Sequence, residues 1–246
     1  HPTLRRQRQM CIRDRSMSPR RGPVCVNLPR NILAASNSYN INTKKPSFVS
    51  ESKLKGDKEK IKKTANLISS SNKTVIIVGA GIKYNSKYKE IIKLAEFCNL
   101  PIVTAAGHGD AIPFNHKLHA GQMGPRGNPV ASRLVKEANV ILAIGTRLGF
   151  NSTFYSYENI NKKAKIVHIE LEKKMLGKYF PIKIGIHADA ATATKQIYEQ
   201  IKKNKIEIDV KNWTNLYLKE RNKYLIDRDN NNLCLLYTSP SPRDRY

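Results

Sequence analysis

The residues best suited to chemistry in this chain stand where apolar runs break into glycine. Lys73 to Gly81 reads KTVIIVGAG, four apolar β-formers falling straight into Gly79-Ala80-Gly81. Glycines at such a turn let the backbone come close to a ligand that a side chain would exclude. A second turn, Gly145-Thr146-Arg147, ends another apolar run, and a third, Gly124-Pro125-Arg126-Gly127, stands just before a helix start. Helix starts present free N–H groups to phosphate, and Arg126 or Arg147 supplies a planar, charged fork for pyrophosphate. Glu170 closes a further run and is placed to accept ribose hydroxyls, and Asp189 closes the last one. This is the layout of a nucleotide site assembled from strand ends. The third glycine of the dinucleotide fingerprint, a Walker phosphate loop and a nucleophile elbow are all missing from the sequence. The chemistry read here is binding, and no catalytic residue is assigned.

Other polar residues carry less. His108 and Asp110 lie in a glycine loop and invite an acid–base reading; a loop pair making local hydrogen bonds is the expectation. His116, His119, His168 and His187 show no metal-ligand spacing, so no metal is assigned. His168 lies in an apolar strand and reads as a satisfied core histidine. Tyr155 and Tyr157 alternate with polar residues and read as surface cover.

The elements that must position these residues alternate strand and helix. Strands are expected at 75–78, 101–104, 140–144, 165–169 and 182–186, each a short apolar run bounded by glycine, proline or a polar turn. Between them, Ile61, Ala65 and Ile68 repeat at helical spacing after Asp57, and so do Tyr88, Ile91, Ile92, Ala95 and Cys98. Asn128-Pro129 opens a helix carrying Val130, Leu134 and Ala138, and Asp189 caps one with Ala193, Ile197 and Ile201. A last helix is expected to place Trp213, Leu216, Tyr217, Glu220 and Tyr224 on one side. The fold class is α/β, a doubly wound parallel sheet of five to six strands with helices on both faces, of the DHS-like NAD/FAD-binding type. In such a sheet ligands bind beyond the carboxyl ends of the strands, which is where the glycine turns fall.

The two ends are set aside. Met10-Cys11-Ile12-Arg13-Asp14 and Cys234-Leu235-Leu236-Tyr237-Thr238 can be encoded by one DNA element read in opposite orientations. Residues 1–15 and 234–246 therefore read as translated sequencing adaptor and are excluded from fold reasoning. They carry seven Arg and two Asp, so the net charge of +25 becomes +20. The remaining basicity is 29 Lys against eight Arg, spread along nearly every polar segment. A nucleic-acid surface favours clustered Arg with interleaved aromatics, so no nucleic-acid partner is expected. No run reaches the ~18–20 apolar residues of a membrane span. Cys25 and Cys98 stand in apolar surroundings and read as two buried thiols, which suits a reducing, cytoplasmic location. Residues 22–29, GPVCVNLP, read as a short strand closed by proline, and residues 34–56 have linker composition.

With these motifs in place the chain resembles a family. GPVCVNLPRNIL resembles the end of the pyrimidine-binding domain of thiamine-diphosphate enzymes. VIIVGAGI, LPIVTAAGHGDAIPFNHKLHAGQMGPRGN, ANVILAIGTRLG, AKIVHIELE and IGIHADA resemble the central domain of that family in order and spacing. Acetolactate synthase-like and sulfoacetaldehyde acetyltransferase-like members are the most similar. The resemblance divides the chain into the end of the pyrimidine-binding domain (16–33), a linker (34–56), the central domain (57–205) and the start of a connection to a diphosphate-binding domain (206–233).

The resemblance implies a parent enzyme that uses thiamine diphosphate and Mg2+. It would decarboxylate a 2-oxo acid, or take an equivalent donor, and pass a two-carbon carbanion to an acceptor; 2-oxo acids or aldehydes would be its substrates. A homodimer or homotetramer is implied for it. The family's catalytic Glu and its Gly-Asp-Gly…Asn motif fall outside the matched stretch, so the piece is expected to be inactive alone. The resemblance further implies FAD or ADP in the central domain, at Gly79, Gly81, Gly124, Arg126, Gly127, Gly145, Thr146, Arg147, Glu170 and Asp189. The family's triple glycine is Gly79-Ala80-Gly81 here, and its acidic pair is Gly149-Phe150. Both departures favour an adenine nucleotide over an intact flavin site. The competing reading is a free-standing dinucleotide-binding domain of the sirtuin or electron-transfer-flavoprotein kind.

Overall fold

The computed structural model describes Ser16, Ser18 and residues 22–25, 27–36, 53–83 and 87–230. The ends set aside above, and most of the stretch read as linker, lie outside the described residues. The chain divides into two compact units, 1–53 and 54–246. In the first, a single-turn helix, α1 (Arg30–Leu33), follows irregular backbone. The strand expected over 22–29 is not formed at its described positions, Gly22–Cys25 and Asn27–Pro29. Without sheet neighbours its described side chains are exposed, apart from the half-buried Val24. Cys25 is accordingly exposed, its Sγ–H donating to Asn27 Oδ1 at 3.6 Å, and only Cys98 is the buried thiol expected.

The second unit is built on six parallel strands: β1 (Thr74–Val78), β2 (Ile102–Thr104), β3 (His119–Gln122), β4 (Val140–Ile144), β5 (Lys165–Glu170) and β6 (Ile184–His187). Their spatial order is β3-β2-β1-β4-β5-β6. The all-parallel, doubly wound α/β architecture is thus the one the sequence predicts. Central strands β1 and β4 are buried at every position, which is why they read as continuous apolar runs rather than alternating ones. β2 starts one residue later than expected, because Pro101 has no N–H for the ladder; its carbonyl still accepts from Ile76 N at 3.0 Å. The sixth strand, β3, sits inside the stretch read as a glycine loop.

The helices are α2 (Lys58–Ser69), α3 (Tyr88–Cys98), α4 (Pro129–Glu137), α5 (Phe150–Thr153), α6 (Ala190–Lys203) and α7 (Lys211–Asn230). Three of them start where the sequence marks a cap. Asp57 accepts from Lys60 N at 2.9 Å, Asn128 from Val130 N at 2.8 Å and Asp189 from Thr192 N at 3.1 Å. Helix α3 ends on Asn99 in the left-handed region, φ 52°.

Two apolar layers result. One joins Ile61, Ala65 and Ile68 of α2, Ile91 and Leu94 of α3 and Ile197 and Ile201 of α6 to strand residues such as Ile76 and Val78. The other joins Val130, Leu134 and Val135 of α4 and Tyr217 of α7 to Val75, Ile77 and Ile141. Alternate residues of β1 thus feed opposite layers. In α7 the buried side is Trp213, Tyr217 and Arg221, whereas Leu216, expected on it, is 55% exposed. No helix among the described residues is long and apolar enough to cross a membrane.

Candidate nucleotide site

The strand order reverses between β1 and β4, because the chain returns from the edge strand β3 to the far side of β1. At such a point the loops leaving neighbouring strands diverge and open a crevice at their carboxyl ends. Here those loops are first locked together. Gly81 N donates to the Gly145 carbonyl at 2.9 Å and Gly79 N to the Ile144 carbonyl at 3.3 Å. A Cβ on Gly79 would stand 2.7 Å from the Gly145 oxygen, and one on Gly81 2.7 Å from Gly145 Cα. Gly145 itself has φ +57°. The three glycines are therefore required by backbone meeting backbone, whatever ligand lies above. Ala80 is exposed, so its methyl group enters neither contact. Thr146 is buried, its Oγ1 accepting from Leu148 N at 3.3 Å.

The loops after β2 and β3 join the same rim. Ala106 N donates to Ser152 Oγ at 2.9 Å, tying the β2 loop to α5. Gly124, with φ +109°, would drive a Cβ to 2.7 Å from the Asn151 carbonyl. Its N–H donates to Ser132 Oγ at 3.2 Å. Gly127 packs against Gln122, whose carbonyl accepts from Asn128 N at 2.7 Å. Arg126 is exposed on this turn, at the start of α4. Gly79, Gly81, Gly145, Thr146 and Arg147 thus form one corner, and Gly124, Arg126 and Gly127 stand across the β2 and α5 loops from it.

The two acids differ. Glu170, at the end of β5, is partly exposed, and its Oε1 accepts from Leu171 N at 2.9 Å. Asp189 is buried. Its Oδ1 accepts from both N and Oγ1 of Thr192, and its Oδ2 pairs with Lys87. Its geometry is that of a helix cap tied to the loop before α3.

The sequence reading misses the cationic side of the corner. Lys83 follows the 3-10 turn Ala80–Ile82 and pairs with Asp110 at 2.5 Å. The local hydrogen bonds expected at this loop are made by the His108 backbone, its N–H donating to the Ala105 carbonyl and its carbonyl accepting from Ala111 N, both at 3.0 Å, while the Asp110 carboxylate pairs with Lys83. His108 Nδ1 is buried without a hydrogen-bond partner. Burial, then the positive charges of Lys83 and Arg147, hold its pKa below the ordinary value, while Asp110 pulls the other way. Lys83 lies only two residues beyond Gly81, but neither periodicity nor a motif distinguishes it from the other lysines.

Aromatic rings flank Arg147. Tyr155 stacks on Tyr179 with centroids 4.5 Å apart and planes at 27°, and Phe150 meets Phe154 edge-on at 5.0 Å. The hydrogen bond between the two tyrosine hydroxyls shifts Tyr155 up and Tyr179 down, and Arg147 pulls both down. Leu148, Phe154 and Tyr155 all have positive φ, backbone strain of the sort concentrated at binding sites. His168 behaves as the core histidine expected. Its Nε2 meets the Thr146 carbonyl at 2.9 Å, its Nδ1 accepts from Gly177 N at 3.3 Å, and burial lowers its pKa.

No group of three or more His, Cys, Asp or Glu that could hold a metal occurs among the described residues. With Asp110 and Asp189 both paired to lysines, the cleft does not fit a magnesium-bound diphosphate such as thiamine diphosphate carries, and no step is routed through one. Lys83 and Arg147 bring two positive charges to the side of the glycine turns.

Comparison with known proteins matches residues 61–197 to the family described as "Thiamine pyrophosphate enzyme, central domain". Sulfoacetaldehyde acetyltransferase of Roseovarius nubinhibens is 31% identical over 181 residues, covering 73% of this chain and 29% of that protein. The enzyme of the same name from Castellaniella defragrans is 30% identical over 76% of this chain and 31% of its own. The acetolactate synthase large subunit of Buchnera aphidicola is 30% identical over 79% of this chain and 34% of its own. The chain spans about three tenths of the length of the curated relatives it matches.

Proposed function

Because the chain belongs to the family of thiamine pyrophosphate enzyme central domains, we propose that it is the nucleotide-holding, structural domain of an enzyme that transfers a two-carbon carbanion after decarboxylation. The relatives named sulfoacetaldehyde acetyltransferase and acetolactate synthase support 2-oxo acids or aldehydes as that enzyme's small-molecule substrates. Thiamine diphosphate and Mg2+ would be held by other domains, and the parent would assemble as a homodimer or homotetramer in the cytoplasm. The central domain would hold ADP in preference to FAD, with the diphosphate over the β1 and β4 turns. Gly79, Gly81, Gly145, Thr146 and Arg147 would stand beneath it, Glu170 would face the ribose, and Gly124, Arg126 and Gly127 would close the far side. Asp189 would act on the site through Lys87.

The observation that carries this reading is the β1/β4 corner, where two glycine turns interlock at the reversal of strand order beside Lys83 and Arg147. The free-standing dinucleotide-binding reading is not favoured, because each of the three relatives named above is more than twice the length of this chain and carries an enzyme's name.

The test is a thermal melt of the chain with ADP, FAD and NAD, and an assay with pyruvate, thiamine diphosphate and Mg2+. Binding at a hundred times Kd stabilises by about 2.7 kcal/mol, so ADP should raise the melting temperature by several degrees, more than FAD or NAD at the same concentration. No decarboxylation is expected from the chain alone. No shift with any nucleotide at millimolar concentration overturns the nucleotide role, and pyruvate turnover by the isolated chain overturns the structural one.

A further inference from the structure

Two features of the cleft rim are unexplained by the fold. His108 Nδ1 is buried and makes no hydrogen bond, an arrangement that proteins rarely leave uncompensated. Lys83 and Asp110 form an ion pair in which the lysine side chain is 22% exposed and the aspartate 72%. The lysine is therefore held by its surroundings, and the carboxylate is the partner free to swing away. Lys83 and Arg147 both act on His108 as positive charges, and the Asp110 carboxylate opposes them as long as it stays on Lys83. An orphaned ring nitrogen that feels two cations, beside glycine-bearing turns, is a cradle for a doubly charged anion once the Asp110 carboxylate moves off Lys83.

We propose that Lys83 and His108 are the groups that select a nucleoside diphosphate, and that Asp110 is an internal anion which occupies Lys83 until the diphosphate displaces it. The inference rests on the nucleotide reading above and adds the residues and the exchange. Displacement is a swap of one carboxylate for phosphate oxygens on the same ammonium group, so the site stays neutralised with or without ligand. His108 contributes a ring N–H to the bound phosphate. A nucleoside monophosphate offers one phosphate where Lys83, His108 and Arg147 present donors for two.

The experiment is calorimetric titration of the full chain with ADP, AMP and inorganic pyrophosphate, for the wild type and for Lys83→Ala, His108→Phe and Asp110→Asn. Thermal melts confirm that each variant is folded, and Lys83→Met keeps the apolar stem should Lys83→Ala fail to fold. ADP is expected to bind about tenfold tighter than AMP. Lys83→Ala should weaken ADP by about tenfold and AMP by less than threefold, and His108→Phe should weaken ADP by about fivefold. Asp110→Asn should tighten ADP and pyrophosphate by about three- to tenfold, because the competing carboxylate is gone. ADP binding that none of the three substitutions alters overturns this inference and leaves the nucleotide reading standing. Weaker binding by Asp110→Asn shows a positioning partner and overturns the displacement. A wild type that binds neither ADP, AMP nor pyrophosphate overturns both readings.

Discussion

At the scale of single residues, the β1 and β4 turns separate what a glycine does for the fold from what it does for a ligand. Gly145 has φ +57° and a would-be Cβ 2.9 Å from Gly81 Cα, and that neighbour is backbone that cannot rotate away. Ala80 lies between two such glycines with its methyl group in solvent. Gly145→Ala is therefore expected to cost about 2–4 kcal/mol, from the left-handed backbone and the displaced turn together. Ala80→Gly should change stability by at most about 1 kcal/mol, through unfolded-chain entropy alone. Urea unfolding of both variants checks this, and equal losses would show that the turn is not locked as described. The glycines were legible in the sequence because each follows an apolar run. Their reason was not, since the contact that excludes a Cβ comes from a turn some 65 residues further along the chain. Lys83 was invisible for the same cause: only its placement beside Asp110 and His108 distinguishes it from the other 28 lysines of the chain.

At the scale of elements, the legible strands are those buried on both faces. β1, β4 and β5 are apolar runs because helices cover both sides of the sheet at their positions. β3 is His119-Ala120-Gly121-Gln122, with no β-branched residue, and becomes a strand only because β2 lies beside it and α4 and α7 cover it. Its edge position also explains His119. The ring is 1% exposed, with Nδ1 3.4 Å from the Phe114 carbonyl and Nε2 without a partner. Arg221 of α7 is buried nearby, its guanidinium donating to the same carbonyl at 3.1 Å and lying over the Phe114 ring. Burial, with the charges of Arg221 and His116 against it, lowers the His119 pKa to about 4. The folded pKa lies below the unfolded value of about 6.5, so the unfolded chain binds the proton more readily. The stability from a neutral His119 is complete above pH ~6.5 and is lost as pH falls toward 4, by a total on the order of 3 kcal/mol. His119→Gln should flatten the urea-unfolding profile across that window while lowering stability at pH 7. Parallel profiles for the two proteins between pH 7 and 4 would refute the assignment.

At the scale of the whole molecule, the question is what a formal charge of +25 does. The lysines decorate helices on both sides of the sheet: Lys58, Lys62 and Lys63 on α2, Lys89 and Lys93 on α3, Lys136 on α4, Lys219 and Lys223 on α7. Acids interrupt them, with Glu96 pairing to Lys117 at 3.1 Å and Glu199 near Lys195. Some of the cations lie over rings of the same surface, as Lys93 and Lys202 do over Tyr198. The arginines that could read a base edge or clamp successive phosphates are scattered: Arg221 is on the buried side of α7, and Arg133 pairs with Glu220. A duplex laid on any one face would meet only a few of these charges, and at about 0.15 M salt their fields fade within ~8 Å. Binding to DNA should thus be a counterion-release effect of shallow slope, a loss of about two to three decades of affinity per decade of salt. Fluorescence anisotropy with an unrelated pair of duplexes, from 20 to 200 mM salt, tests this. The expected result is weak retention at the lowest salt, equal for both sequences and gone by about 150 mM. Tight binding that persists there, or prefers one duplex, would mean that the lysines converge on a groove, and the charge would then belong to function rather than to composition.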